Sequence, residues 1–122
     1  MDNKILITGS SGFLGEEIVN SLSKNNKILA LDKDQSISFK NNLPNIEIVL
    51  CDIRNKEELE RIFINNSIDI LIHCAAEILD EKDSKEVWNT NFNGTKNLLD
   101  LCEKYNVKKF IFTSTFSIFE KN

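Results

Sequence analysis

The chain has 122 residues, 41% of them apolar and 28% charged, with a single proline, which fits one soluble globular domain over residues 1–122 and excludes a two-domain enzyme. Its 15 basic and 19 acidic side chains leave a net charge of −4, so no global field favours nucleic acid or an anionic membrane as a partner, and an anionic ligand needs a local site. No run reaches the ~20 apolar residues of a membrane span and no secretory signal opens the chain, so a cytoplasmic protein is expected. Cys51, Cys74 and Cys102 are odd in number, far apart and set among apolar neighbours, and they read as reduced thiols rather than as a disulfide frame or a zinc site.

Lys4-Ile5-Leu6-Ile7-Thr8 is an unbroken apolar run of the kind that forms a parallel strand covered on both faces. From Gly12 the period becomes helical, with Leu14, Ile18 and Leu22 on one stripe and Phe13 and Val19 beside it, until Lys24-Asn25-Asn26. Lys27–Asp32 is a second strand ending on a carboxylate, and Lys33–Asn45, which holds Pro44, is an irregular link. Ile46–Cys51 is a third strand. Asn55 followed by Glu58 has the form of a capping box, opening a helix with Leu59, Ile62 and Phe63 on its inner face. Ile68–Cys74 is a fourth strand, Ser84–Tyr105 a long helix and Lys109–Ser114 a fifth strand. Strands alternating with helices predict an α/β fold with a mostly parallel sheet, because right-handed crossovers place helices on both faces.

Thr8-Gly9-Ser10-Ser11-Gly12-Phe13-Leu14-Gly15 joins the first strand to the first helix. In that context Gly9 permits a tight turn, Gly12 a close approach of a pyrophosphate, and Gly15 close packing of the helix on the sheet, while the helix N-terminus receives the anion. The alternative is a glycine turn without a ligand. Asp32 lies 17 residues beyond Gly15 at a strand end, where a carboxylate accepts hydrogen bonds from ribose hydroxyls. A 2′-phosphate there would meet like charge, which favours NAD over NADP, with the neighbouring Lys33 as the counter-argument.

The spacing G-x-x-G-x-x-G and its surroundings resemble the extended short-chain dehydrogenase/reductase family, in particular the NAD-dependent epimerases and dehydratases of nucleotide sugars. Thr8–Gly15 resembles the family's T-G-x-x-G-F-x-G loop, and Cys51-Asp52-Ile53-Arg54 its G-D-x-R segment. His73-Cys74-Ala75-Ala76 is similar to H-x-A-A, Asn91-Phe92-Asn93-Gly94-Thr95 to N-x-x-G-T, and Phe112–Phe119 to the segment carrying a catalytic Ser or Thr. The resemblance implies a Rossmann-like doubly wound sheet of about five strands in the order 3-2-1-4-5, stopping before the later strands. It also implies contacts to NAD from Gly9, Ser11, Gly12, Phe13, Leu14, Gly15, Asp32, Lys33, Asp52, Ile53, Cys74, Ala75, Ala76, Asn91 and Thr113. Within that set Asp52 meets the adenine amino group and Ile53 a side of the adenine pocket. Thr115 aligns with the residue that polarises the substrate oxygen, with Ser114 and Ser117 as neighbours, although Phe119-Glu120 stands where the family has Tyr-Gly.

Val87, Asn91, Gly94, Leu98, Cys102 and Tyr105 follow one helical stripe, which places Asn91 and Gly94 on the buried side; Asn91 then ties the helix to strand ends, and Gly94 marks a close helix-to-sheet approach. Trp88, one step off, reads as packing or an oligomer contact. His73, the only histidine, stands inside an apolar strand and reads as structural. No His, Cys or Asp cluster has metal-ligand spacing.

The family's Tyr-x-x-x-Lys pair, which supplies the acid/base and holds the nicotinamide ribose, is missing. Tyr105 and Lys109 have the spacing, but they span a helix end and a strand start, and the family's pair falls past Asn122. The expectation is the cofactor-binding N-terminal part of an NAD-dependent nucleotide-sugar epimerase or dehydratase, inactive as it stands and meeting its sugar substrate only when completed by a C-terminal part. The alternatives are a non-catalytic NAD-binding sensor or subunit completed by another chain, and a plain α/β domain that binds no nucleotide. With Phe110-Ile111-Phe112 as an apolar sheet edge, the chain alone is expected to be marginally stable, aggregation-prone or homo-oligomeric.

Overall fold

The computed structural model describes residues 3–33, 44–74, 85 and 89–113. Its strands are β1 (Lys4–Thr8), β2 (Lys27–Asp32), β3 (Ile46–Leu50), β4 (Ile70–His73) and β5 (Lys109–Phe112). Helices α1 (Phe13–Leu22), α2 (Lys56–Asn65) and α3 (Thr95–Lys104) alternate with them, α3 being preceded by a π-helical turn over Asn89–Gly94. The strands form one parallel sheet in the order β3-β2-β1-β4-β5. This is the doubly wound order expected.

The two faces of β1 build two cores. Ile5 and Ile7 join Val19 of α1 with Ile28, Ala30 and Ile72, while Leu6 joins Leu29, Leu31 and Leu71 under Leu59 and Phe63 of α2 and Leu98 and Leu101 of α3. Apolar residues on both sides of one strand are therefore what a sheet with helices on each face requires.

Local chemistry sets the helix ends. Asn55 caps α2 by accepting the Glu58 N–H at 3.2 Å. Asn26 and Asn66 close α1 and α2 by donating to the carbonyls of Leu22 and Ile62. After α3, Asn106 adopts φ 57° and Val107 N–H returns to Cys102 O at 2.9 Å, a left-handed exit that Asn tolerates.

Three details differ from expectation. The last helix is not one α-helical run: Asn-Thr-Asn-Phe-Asn-Gly, poor in helix formers, opens into the wider π turn, and Asn91 is only partly buried while Gly94 stays enclosed. Gly94 also approaches Ile53, beyond β3, rather than the sheet: a Cβ there would lie 2.4 Å from Ile53 Cδ1. Gly15, in turn, packs against the glycine loop itself, a Cβ there meeting Gly9 O at 2.1 Å.

Candidate functional site

In a parallel sheet every strand ends at the same edge, and here β1 has β2 on one side and β4 on the other, so the chain reverses its winding direction at that point. Such a switch point leaves a crevice beyond the carboxyl ends of the strands. Thr8, Asp32, Leu50, His73 and Phe112 end the five strands there.

The glycine loop crosses this crevice. Gly9 turns off β1 with φ 66°, a left-handed conformation that suits glycine, and Ser10 N–H then bonds Leu31 O at 3.2 Å. Ser10 is fully buried, and its hydroxyl has no hydrogen-bond partner among the described residues. Gly12 N–H returns to Gly9 O at 3.1 Å, and Gly12 is the N-cap of α1 without a side-chain cap. The first turn of α1 thus presents its dipole end outward, beside Phe13 and Leu14, which are 90% and 49% exposed. Gly12 itself is exposed, and a Cβ on it would meet only Gly9 O, at 3.4 Å. Packing therefore does not require a glycine at this position.

Asp32 is tied to this loop. Its Oδ2 accepts from Ser11 N–H at 3.1 Å and from the Ser11 hydroxyl at 2.5 Å, and its Oδ1 accepts from Lys33 N–H at 2.7 Å. Two residues beyond β3, Asp52 pairs with Arg54 through both carboxylate oxygens, with Nη2 to Oδ2 at 2.6 Å. The Arg54 hydrogen bonds hold the Asp52 carboxyl below the usual carboxylate range, partly opposed by burial. Ile53 between them is buried and held by α3, whose Asn97 side chain donates to Ile53 O at 2.9 Å.

At the other side of the crevice stands His73, fully buried, with Nδ1 2.7 Å from Thr8 Oγ1 and Nε2 2.9 Å from Thr95 Oγ1. Burial pushes its pKa down to about 4, so the ring is neutral at physiological pH. Cys74 follows, half-buried; burial raises its thiol pKa, opposed in part by Thr113. Burial also pushes the thiols of Cys51 and Cys102 up to about 12 and about 11. All three cysteines are free, and their raised values keep them protonated and unreactive at neutral pH. Thr113 is anchored to β4 by its N–H and its hydroxyl, each 3.2 Å from His73 O.

The crevice therefore gathers Gly9, Ser11, Gly12, Phe13, Leu14, Gly15, Asp32, Lys33, Asp52, Ile53, Cys74 and Thr113 at the strand ends, with Asn91 in the π turn ahead of α3. Ala75, Ala76, Ser114, Thr115, Ser117, Phe119, Glu120, Val87 and Trp88 lie outside the described residues. Tyr105 and Lys109 do not join the site. Tyr105 donates to Glu60 at 2.7 Å and packs on Phe63, and Lys109 is the first residue of β5, at the opposite edge of the sheet. Thr8, Thr95, Asn97 and the Arg54 clamp were not distinguished in the sequence as parts of the site. Thr8, Arg54 and Thr95 stand in the quoted motifs without a role of their own, and Asn97 carries no local signal. Among the described residues no side-chain cluster could hold a metal ion, and no helix is long and apolar enough to cross a membrane.

The geometry has counterparts among known proteins. A dTDP-D-glucose 4,6-dehydratase of Dictyostelium discoideum is 40% identical over 128 aligned residues, covering 95% of this chain and 30% of its own length. The UDP-glucose 4-epimerase of Thermotoga maritima, solved with UDP-glucose, superposes with a TM-score of 0.82 at 33% identity over 92% of this chain and 38% of that one. The Thermus thermophilus UDP-glucose 4-epimerase complex with NAD gives 0.81 at 30% identity, over 92% and 37%. The chain thus spans about a third of the length of these relatives. The family model for the NAD dependent epimerase/dehydratase family matches residues 5–122, and with the crevice, the glycine turn and the strand order on the same segment, the chain belongs to the NAD-dependent epimerase/dehydratase family.

Proposed function

We propose that this chain is the NAD-binding part of a nucleotide-sugar epimerase or dehydratase and that, by itself, it binds the cofactor without turning over a sugar. The observation that carries the reading is the uncapped N-terminus of α1 directly behind the left-handed Gly9 turn, at the switch point, with Asp32 tied to the same loop. These residues fit a dinucleotide. Exposed Gly12 and the N-terminal turn at Phe13 and Leu14 receive the pyrophosphate, and Gly15 keeps the helix against the loop. Asp32 accepts the adenosine ribose hydroxyls and opposes a 2′-phosphate, which favours NAD over NADP. Asp52, oriented by Arg54, faces the adenine amino group, and Ile53 forms a wall of that pocket. Lys33, Cys74, Ala75, Ala76, Asn91 and Thr113 complete the contacts.

When bound, NAD supplies the acceptor for oxidation of a sugar hydroxyl. Thr115, two residues past Thr113, polarises the substrate oxygen, but a hydroxyl without an acid/base partner cannot carry the proton. The only tyrosine, Tyr105, is engaged by Glu60 away from the crevice. Isothermal titration with NAD tests binding: the wild-type chain is expected to bind and Gly12→Val to give no heat. Incubation with NAD and either UDP-glucose or dTDP-glucose is expected to leave the sugar unchanged, and measurable conversion would contradict the second half of the proposal.

A further inference from the structure

The ring of His73 joins elements that are remote in sequence. Nδ1 meets Thr8, the residue before the Gly9 turn, and Nε2 meets Thr95, the residue after Gly94. Gly94 is the position whose missing side chain admits Ile53, with a Cβ there only 2.4 Å from Ile53 Cδ1. The carbonyl of His73 holds Thr113 after β5, and its ring stacks on Phe112 with centroids 5.1 Å apart and planes 19° apart. One imidazole therefore bridges the two walls of the crevice, the glycine turn and the start of α3, at the strand end that separates them.

We propose that His73 is a positioning residue of the dinucleotide site, holding the Gly9 turn and the Gly94–Ile53 contact in one fixed relation through the hydroxyls of Thr8 and Thr95. This rests on the reading of the crevice as an NAD site. Each hydroxyl can donate or accept, so the two contacts are met by a neutral ring held in one tautomer. Thr8 Oγ1 also accepts the Cys74 N–H at 2.9 Å, which fixes the hydroxyl oxygen beside the ring. One ring nitrogen then donates and the other accepts. Full burial keeps the ring in this neutral form, with one acceptor and one donor, across the physiological range. Loss of either bond releases one wall from the other while leaving the apolar cores untouched.

The test combines long-range proton–nitrogen NMR of the single imidazole with NAD titrations of wild type, Thr8→Val, Thr8→Ser, Thr95→Val and His73→Phe. The wild-type ring is expected to be neutral and held in a single tautomer. Thr8→Val and Thr95→Val are expected to weaken NAD binding by about tenfold, the scale of one buried hydrogen bond, as is His73→Phe. Thr8→Ser, which restores the hydroxyl, is expected to bind within about twofold of wild type. A ring that averages between its two tautomers, or valine variants that fold and bind NAD like wild type, would overturn the proposal. Should His73→Phe fail to fold, the two valine variants decide. Wild-type protein that binds no NAD would remove the cofactor reading and this proposal with it, whereas wild-type binding with unaffected variants removes only this one.

Discussion

Gly12 and Gly15 belong to one loop but answer to different demands, and alanine substitutions separate them. A Cβ on Gly15 would stand 2.1 Å from Gly9 O, 2.8 Å from Gly9 C and 2.9 Å from Ser10 Cα. All three are backbone atoms, so relief requires the loop to retreat from α1 by about 1 Å or more. Overpacking of this kind costs about 1–3 kcal/mol, and the rigidity of the opposing backbone puts Gly15→Ala near the top of that range. For a domain of this size that is a fall of about 10 °C in Tm. At Gly12 the backbone has φ −74° and ψ 167°, open to any residue, and the nearest atom to a Cβ is at 3.4 Å. Gly12→Ala thus loses no more than about 1 kcal/mol, the modest disadvantage of Ala against Gly as an N-cap. Thermal melts by circular dichroism, with and without NAD, read both effects. Gly15→Ala is expected to melt early in the absence of ligand. Gly12→Ala is expected to melt close to wild type yet gain little from NAD, because stabilisation by a ligand scales with the logarithm of its concentration over Kd. Equal losses of Tm in the two variants, or a Gly15→Ala protein as stable as wild type, would refute the division of labour.

His73 predicts a pH dependence with a definite sign. Burial lowers its pKa from 6.5 to about 4, so the unfolded chain takes up a proton where the folded chain does not. Stability is therefore full above pH 6.5 and declines as pH falls towards 4, by about 3 kcal/mol in all and about 2 kcal/mol by pH 5. Urea unfolding at pH 7.5 and pH 5 measures it, and a His73→Gln variant should show a smaller difference between the two. Gly94→Ala is expected to destabilise the chain by about 1–2 kcal/mol through its collision with Ile53. Because the colliding atoms are Ile53 Cδ1 and Cγ1, the same substitution in an Ile53→Ala background should be neutral or stabilising, and additive losses in the double-mutant cycle would show that the contact is not the cause.

Much of this fold was legible because it is written locally. β1 and β2 begin and end where their apolar runs do, Asn55 caps α2 as its spacing from Glu58 implies, and Asp32 closes β2 as a carboxylate at a strand end. The turn at Gly9 is likewise a local matter of backbone conformation. Features that depend on a distant partner or on an irregular turn are not written locally. Gly94 was recognisable as a close approach, but nothing in its neighbourhood names Ile53, 41 residues earlier, as the residue it admits. A helical stripe assumes 3.6 residues per turn throughout, and the π turn over Asn89–Gly94 breaks that phase just where Asn91 had been placed on the buried side.

The polar part of the site follows the same rule more strictly. His73 could be read as structural from its apolar strand, yet its role depends on Thr8, 65 residues before it, and Thr95, 22 residues after it. Periodicity reports which face of an element is buried, and it is silent about which buried polar atoms must find one another. A parallel sheet makes that pairing a matter of topology: only when β4 inserts beside β1 does a histidine at the end of one strand meet a threonine at the end of the other, in register Thr8 to His73. The glycine loop could thus be found in a single stretch of sequence because its chemistry is that of the backbone. The bridge that holds its two sides together could not, because Thr8, His73 and Thr95 stand in three separate motifs and nothing in any one of them names the other two as its partners.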